Sequence, residues 1–80
     1  MGRRRASQRV LLKPEAVWEH INRRNLSQNE LARKCGISSG YLSQLITGTR
    51  SPSAEVRRRL QSELGAEHFD DLFVLQRSQE

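Results

Sequence analysis

The run QNELARKCGISSGYLSQLI, residues 28–46, decides the fold. Ser27 precedes it and Glu30 lies three residues after that serine. In this reciprocal pattern a hydroxyl accepts from a backbone N–H one turn on, while the carboxylate reaches back to the cap. Leu26 and Leu31 flank the cap as a hydrophobic staple, so a helix is expected to start at Gln28. Leu31, Ala32 and Cys35 then share one helical face, and Gly36 follows where a helix stop calls for positive φ. After Ile37 the same signals repeat. Ser38 is a second cap, Ile37 and Leu42 are a second staple, Leu45 continues the apolar stripe and Gly48 closes it. Small Ala32 admits the second helix closely, and the apolar residues on both helices would lock the pair as a rigid unit.

The flanks extend this pattern. Pro14 followed by Glu15 is a helix start, because proline lacks an N–H that is not needed there and the carboxylate meets the positive end of the dipole. Val17, Trp18 and Ile21 form an apolar face on that helix, and Asn25, which tolerates a left-handed conformation, is placed to end it. Downstream, residues 49–52 read as a loop. Ser53 caps a further helix with Val56, Leu60 and Leu64 at i+4 spacing, and Gly65 ends it. A last short helix is expected over residues 67–75, with Phe69, Leu72 and Phe73 on one side. No segment alternates with period two over strand length, so the expected fold is all-α, a compact five-helix bundle without a sheet. The boundaries expected are a flexible basic arm over residues 1–11, a globular domain over residues 12–75 and a polar tail over residues 76–80.

Eighty residues accommodate one small domain. Fourteen Lys and Arg against nine Asp and Glu give a net charge of +5 and point to polyanionic partners. The charge is unevenly placed. Residues 1–59 hold thirteen basic groups against four acidic ones, whereas residues 60–80 hold Arg77 against five carboxylates. That asymmetry implies one basic working face and a C-terminal end turned away from a phosphate backbone.

Other classes find little footing. The longest apolar run, Leu72-Phe73-Val74-Leu75, is far shorter than the roughly 20 residues of a membrane span. A single cysteine forms no internal disulfide, and Cys35 with His20 and His68 matches no zinc-ligand spacing, so no metal and no cofactor are expected. No nucleophile, base and orienting group can be assembled, which argues against an enzyme. Cys35 reads as a small core residue, and Arg57, Arg58 and Arg59, spread over most of a helical turn, read as a solvated face.

The stretch LSQNELARKCGISSGYLSQLITGTRSPS, residues 26–53, closely resembles the helix-turn-helix of the lambda repressor and Cro-like (XRE-type) family, and the flanking helices carry the resemblance over residues 14–73. The resemblance implies a five-helix domain that binds operator DNA, usually as a dimer, and regulates transcription, commonly as a repressor. It places residues 38–46 in the major groove, with Ser38, Ser39, Gly40, Ser43 and Gln44 facing base edges. Gln28, Tyr41, Thr47 and Arg50 are expected on the phosphate backbone. Arg3, Arg4, Arg5 and Arg9 resemble the basic arm that lambda repressor wraps around DNA. The residues themselves agree, since the outward face opposite Leu42 and Leu45 is polar or small, and a glutamine amide such as that of Gln44 can bond adenine at two points.

Double-stranded DNA is therefore the expected partner and a homodimer through Phe69, Leu72, Phe73 and Leu75 the expected assembly, in a cytoplasmic, nucleoid-associated protein without membrane contact. The alternative is a protein-interaction module, such as an antitoxin or adaptor, whose acidic, apolar C-terminal part docks a partner protein.

Overall fold

The computed structural model describes residues 8–77. The chain runs β1 (Gln8–Leu12), α1 (Pro14–Arg23), α2 (Gln28–Cys35), α3 (Ser39–Thr47), α4 (Ala54–Leu64), α5 (Phe69–Leu72) and β2 (Phe73–Arg77). The stop signals behave as their chemistry requires. Asn25 has φ of 57°, and Gly36, Gly48 and Gly65 are all left-handed. Ser27, Ser38 and Ser53 each accept a hydrogen bond from a backbone N–H three residues on. These serines occupy orphan donors that would otherwise lack a partner at each helix start.

α2 packs against α3 and α4, and α1 against α3 and α5. Leu31, Cys35, Leu42, Leu45, Leu60, Leu64, Val17 and Phe73 are fully buried at their centre, with Ile21, Ala32 and Leu72 beside them. Each large side chain there contributes about 1.5–3 kcal/mol by leaving water. Trp18 departs from expectation: it is 41% exposed and outside the core. Val17 and Ile21, one turn apart, take the inward direction, and Trp18 points about 100° further round the helix.

The two ends of the domain correct the expectation of a bundle without a sheet. β1 and β2 pair antiparallel, with Leu12 opposite Phe73, Leu11 opposite Val74, Val10 opposite Leu75 and Arg9 opposite Gln76. Residues 8–11, expected in a flexible arm, are thus strand, and Gln76 and Arg77 continue β2 rather than starting a tail. The expected helix over residues 67–75 shrinks to one turn. The Asp71 carboxylate accepts from the His68 N–H at 3.1 Å to start it, and Phe73 already has extended backbone. Strand pairing wins because it places Leu12 and Phe73 side by side in the core, with the Phe69 and Phe73 rings 5.3 Å apart. The Lys13 N–H donates to the Leu72 carbonyl at 2.8 Å where the two ends meet. On the opposite face Val74 remains 44% exposed, and Leu75, on the same face as Phe73 but further along the strand, is 52% exposed.

Candidate nucleic-acid interface

Each helix of the α2–turn–α3 unit is fixed at both ends. At the start of α2 the Ser27 hydroxyl accepts from the Glu30 N–H at 3.0 Å, and the Glu30 carboxylate accepts from the Ser27 N–H at 2.8 Å. That backbone hydrogen bond is the main cause holding the Glu30 carboxyl below its ordinary range, with smaller help from the Ser27 hydroxyl, Arg33 and Lys34. At the far end the Gly36 and Ile37 N–H groups close onto the Arg33 and Ala32 carbonyls. The bend then has a clamp that sequence reasoning missed. Arg59 of α4 donates to the Cys35 carbonyl at 3.0 Å and pairs with Glu55 at 2.7 Å. A guanidinium at the C-terminal end of α2 meets the negative end of its dipole. Gly36 is favoured by its left-handed φ, and a Cβ there would stand 2.8 Å from that guanidinium and push aside the flexible end of Arg59. Arg59 is therefore no mere solvated charge, although Arg58 is simply exposed.

Cys35 beneath this clamp is fully buried. Burial, followed by the Glu63 charge and partly opposed by Arg59, pushes its thiol up to about 11. It stays a protonated, apolar filler at neutral pH, as a core role requires.

The outward face of α3 carries Ser38, Ser39, Gly40, Ser43 and Gln44, all exposed, while Leu42, Leu45 and Ile46 face inward. No charged residue lies in α3. Gln28 is brought to this face: an open cleft of about 420 Å3 is lined by Ser27, Gln28, Asn29, Ser39, Gly40 and Ser43. The sequence marks Ser27 only as a helix cap and gives Asn29 no role, although their position at the start of α2 beside Gln28 is a usable signal. A Cβ on Gly40 would meet nothing within 4 Å, so packing within the chain does not demand glycine there.

Gln44 and Arg50 meet through the backbone. The Gln44 carbonyl accepts from the Gly48, Thr49 and Arg50 N–H groups at 3.1, 3.0 and 3.2 Å, and from the Thr47 hydroxyl at 3.2 Å. Thr47 and Thr49 hydroxyls are bonded at 3.0 Å. The loop after α3 is thereby tied to the helix that carries the exposed face. The Arg50 guanidinium lies over the half-buried Tyr41 ring, 5.4 Å from its centroid. Arg9 is exposed on β1, at the other end of the fold's sequence order, and Arg3, Arg4 and Arg5 lie outside the described residues. Of the expected dimer residues, Leu72 and Phe73 are wholly in the core and present no surface to a partner; Leu75 is exposed and Phe69 half-buried.

This arrangement suits a partner whose surface has a groove that admits a helix. A neutral, polar, low-relief helix face is offered on a rigid frame, with a cation at one side and the N-terminus of α2 at the other. Among the described residues no helix is long and apolar enough to cross a membrane.

Comparison with known proteins agrees with the geometry. A helix-turn-helix family model matches residues 20–72. An uncharacterised HTH-type transcriptional regulator of Methanothermobacter thermautotrophicus is 37% identical over 59 residues, covering 74% of this chain and 86% of that protein. The crystal structure of the transcriptional regulator VanUg superposes with a TM-score of 0.66 over 98% of this chain and 99% of that one, at 17% identity, a likeness of fold. The chain belongs to the lambda repressor/Cro-like, XRE-type family of helix-turn-helix proteins.

Proposed function

We propose that this protein is a sequence-specific regulator of transcription that binds double-stranded DNA with α3 in the major groove. The observation that carries the reading is the exposed, uncharged face of Ser38, Ser39, Gly40, Ser43 and Gln44, backed by fully buried Leu42 and Leu45. An α-helix fits a groove about 12 Å wide only if its outward side chains are compact or can hydrogen-bond base edges, and this face meets that condition. Gln44 is the reader with the longest reach, its amide suited to adenine. Gln28 at the start of α2, Thr47 and Arg50 grip phosphates around it with Tyr41 beside them, and Arg9 with Arg3, Arg4 and Arg5 adds to the grip from the N-terminal side.

The charge then supplies affinity and the neutral helix supplies selectivity. Neutralising about six phosphates would cost about a thousandfold in affinity between 50 and 200 mM salt. The regulator acts as a repressor by occupying its operator. Pairing of two copies on a twofold site calls for half-sites about 10 base pairs apart. With Leu72 and Phe73 committed to the core, Val74 and Leu75 are the exposed apolar residues left in this region for such pairing. They are also the feature that favours the second reading, in which the fold serves as an antitoxin or adaptor and β2 docks a different protein.

Selection of bound duplexes from a random pool at low salt tests the reading. Enrichment of a shared, palindromic sequence is expected. Recovery of an unenriched pool would leave a charge-driven binder, and no retention of duplex at 50 mM salt would end the DNA reading.

A further inference from the structure

We propose that Tyr41 is a positioning residue for Arg50: its ring, 5.4 Å from the guanidinium, holds that cation ready for the phosphate backbone before DNA arrives. This rests on the DNA-binding reading and assigns to Tyr41 an action through Arg50 in place of a separate phosphate contact.

Three observations carry it. Tyr41 is half-buried and packs against the hydrophobic core, so the plate on which the cation rests is itself fixed. The Arg50 backbone is fixed as well, because its N–H shares the Gln44 carbonyl with Gly48 and Thr49. Arg50 is exposed with its guanidinium carbon over the Tyr41 ring, and no carboxylate is paired with it among the described residues, which leaves its N–H donors open to an anion. A planar guanidinium can rest against a ring and still present a fork of N–H donors, which a compact ammonium cannot. A long cationic side chain that is free in solution gives up most of its rotamer freedom when it grips a phosphate, so holding it beforehand strengthens binding without adding a contact. The same carbonyl belongs to Gln44. The proposed phosphate grip and the proposed base reader therefore share one anchor, and their spacing is set within the protein.

A double-mutant cycle on the full chain tests this, using the duplex enriched by selection, with Tyr41→Leu, Arg50→Met and the two together. Tyr41→Leu should weaken binding about two- to fivefold, the ratio an exposed cation–π pair supports, with the salt slope unchanged because the charge count is unchanged. Arg50→Met should lower that slope by about 0.9, and adding Tyr41→Leu to it should cost little more. Tyr41→Phe keeps the ring and should recover most of the loss seen in Tyr41→Leu. Arg50→Lys, which leaves the core untouched, should show the same weakening as Tyr41→Leu with the slope retained. In the free protein, the Arg50 Cδ protons should carry an upfield ring-current shift that Tyr41→Leu removes.

Equal losses from Tyr41→Leu in the presence and absence of the Arg50 guanidinium would overturn the proposal, as would Tyr41→Phe binding as poorly as Tyr41→Leu, or Arg50→Lys binding as well as the parent. Absence of duplex binding by the parent chain would overturn the DNA reading and the proposal together, whereas additive losses would overturn the proposal alone.

Discussion

The α2–turn–α3 unit and the β1–β2 sheet lie in one small domain and are specified in opposite ways. The caps and stops that shape the first link residues a few positions apart, Ser27 with Glu30, Gly36 with Arg33, Ser38 with Tyr41 and Gly48 with Gln44, and the Arg59 clamp on Cys35 is the long-range addition. The second joins the chain's two ends, Leu12 to Phe73 and Val10 to Leu75, with no turn between them to announce the pairing. Local chemistry thus builds the exposed face of the candidate interface, and long-range packing closes the frame behind it.

Substitutions can break each half separately. Phe73→Ala should have the largest effect, about 3–5 kcal/mol in urea unfolding, because the ring is fully buried where sheet and helices meet. A cost below 1 kcal/mol would mean that the sheet is an appendage to the core. Gly36→Ala should cost about 1–2 kcal/mol for a left-handed alanine, and more if Arg59 is displaced from the Cys35 carbonyl. Comparing Gly36→Ala with and without Arg59→Ala sharpens this, since a clamp that matters makes the two losses non-additive.

Ser27→Ala should remove about 1 kcal/mol by uncapping α2. Here pH gives a second handle. The Glu30 carboxyl is held below its ordinary value of 4.5, so its stabilising effect is complete above that value and lost as pH falls through the lowered one. Urea titrations between pH 6 and 3 should show the parent losing stability faster than Glu30→Gln. Equal slopes would remove the reciprocal cap from the account.

The smallest effect has the opposite sign. Gly40→Ala should stabilise the fold by about 0.5 kcal/mol, since α3 is regular there and the added methyl meets nothing. It should also weaken duplex binding, if the bare backbone at this point is what lets a base edge approach. A rise in thermal midpoint with undiminished binding would show that Gly40 has no part in the interface.

The contrast between the two regions also explains what could be read in advance. Caps and glycine stops lie within four residues of what they control, so α1 to α4 were legible, and with them the exposed face of α3. The sheet was not. Val10-Leu11-Leu12 and Phe73-Val74-Leu75 are apolar at three successive positions, which hides a period of two, and their partners lie at opposite ends of the chain. The same physical reason hid Arg59, whose acceptor on Cys35 is 24 positions away, and the misplaced Trp18, whose face depends on what α1 packs against. In the candidate interface, the identity of Ser39, Gly40 and Gln44 was visible, but the shared Gln44 carbonyl and the Arg50–Tyr41 contact were not, because they depend on the path of the loop after α3.

The central claim is a division of labour in which a neutral helix reads bases and flanking charge grips the backbone. The most direct measurement is duplex affinity of Gln44→Ala, taken against the selected sequence and a set of single-base variants across a range of salt. The account predicts that discrimination relaxes at one base position, by about 1–3 kcal/mol, while the salt slope stays that of the parent. An equal loss on every sequence, with a shallower slope, would contradict it.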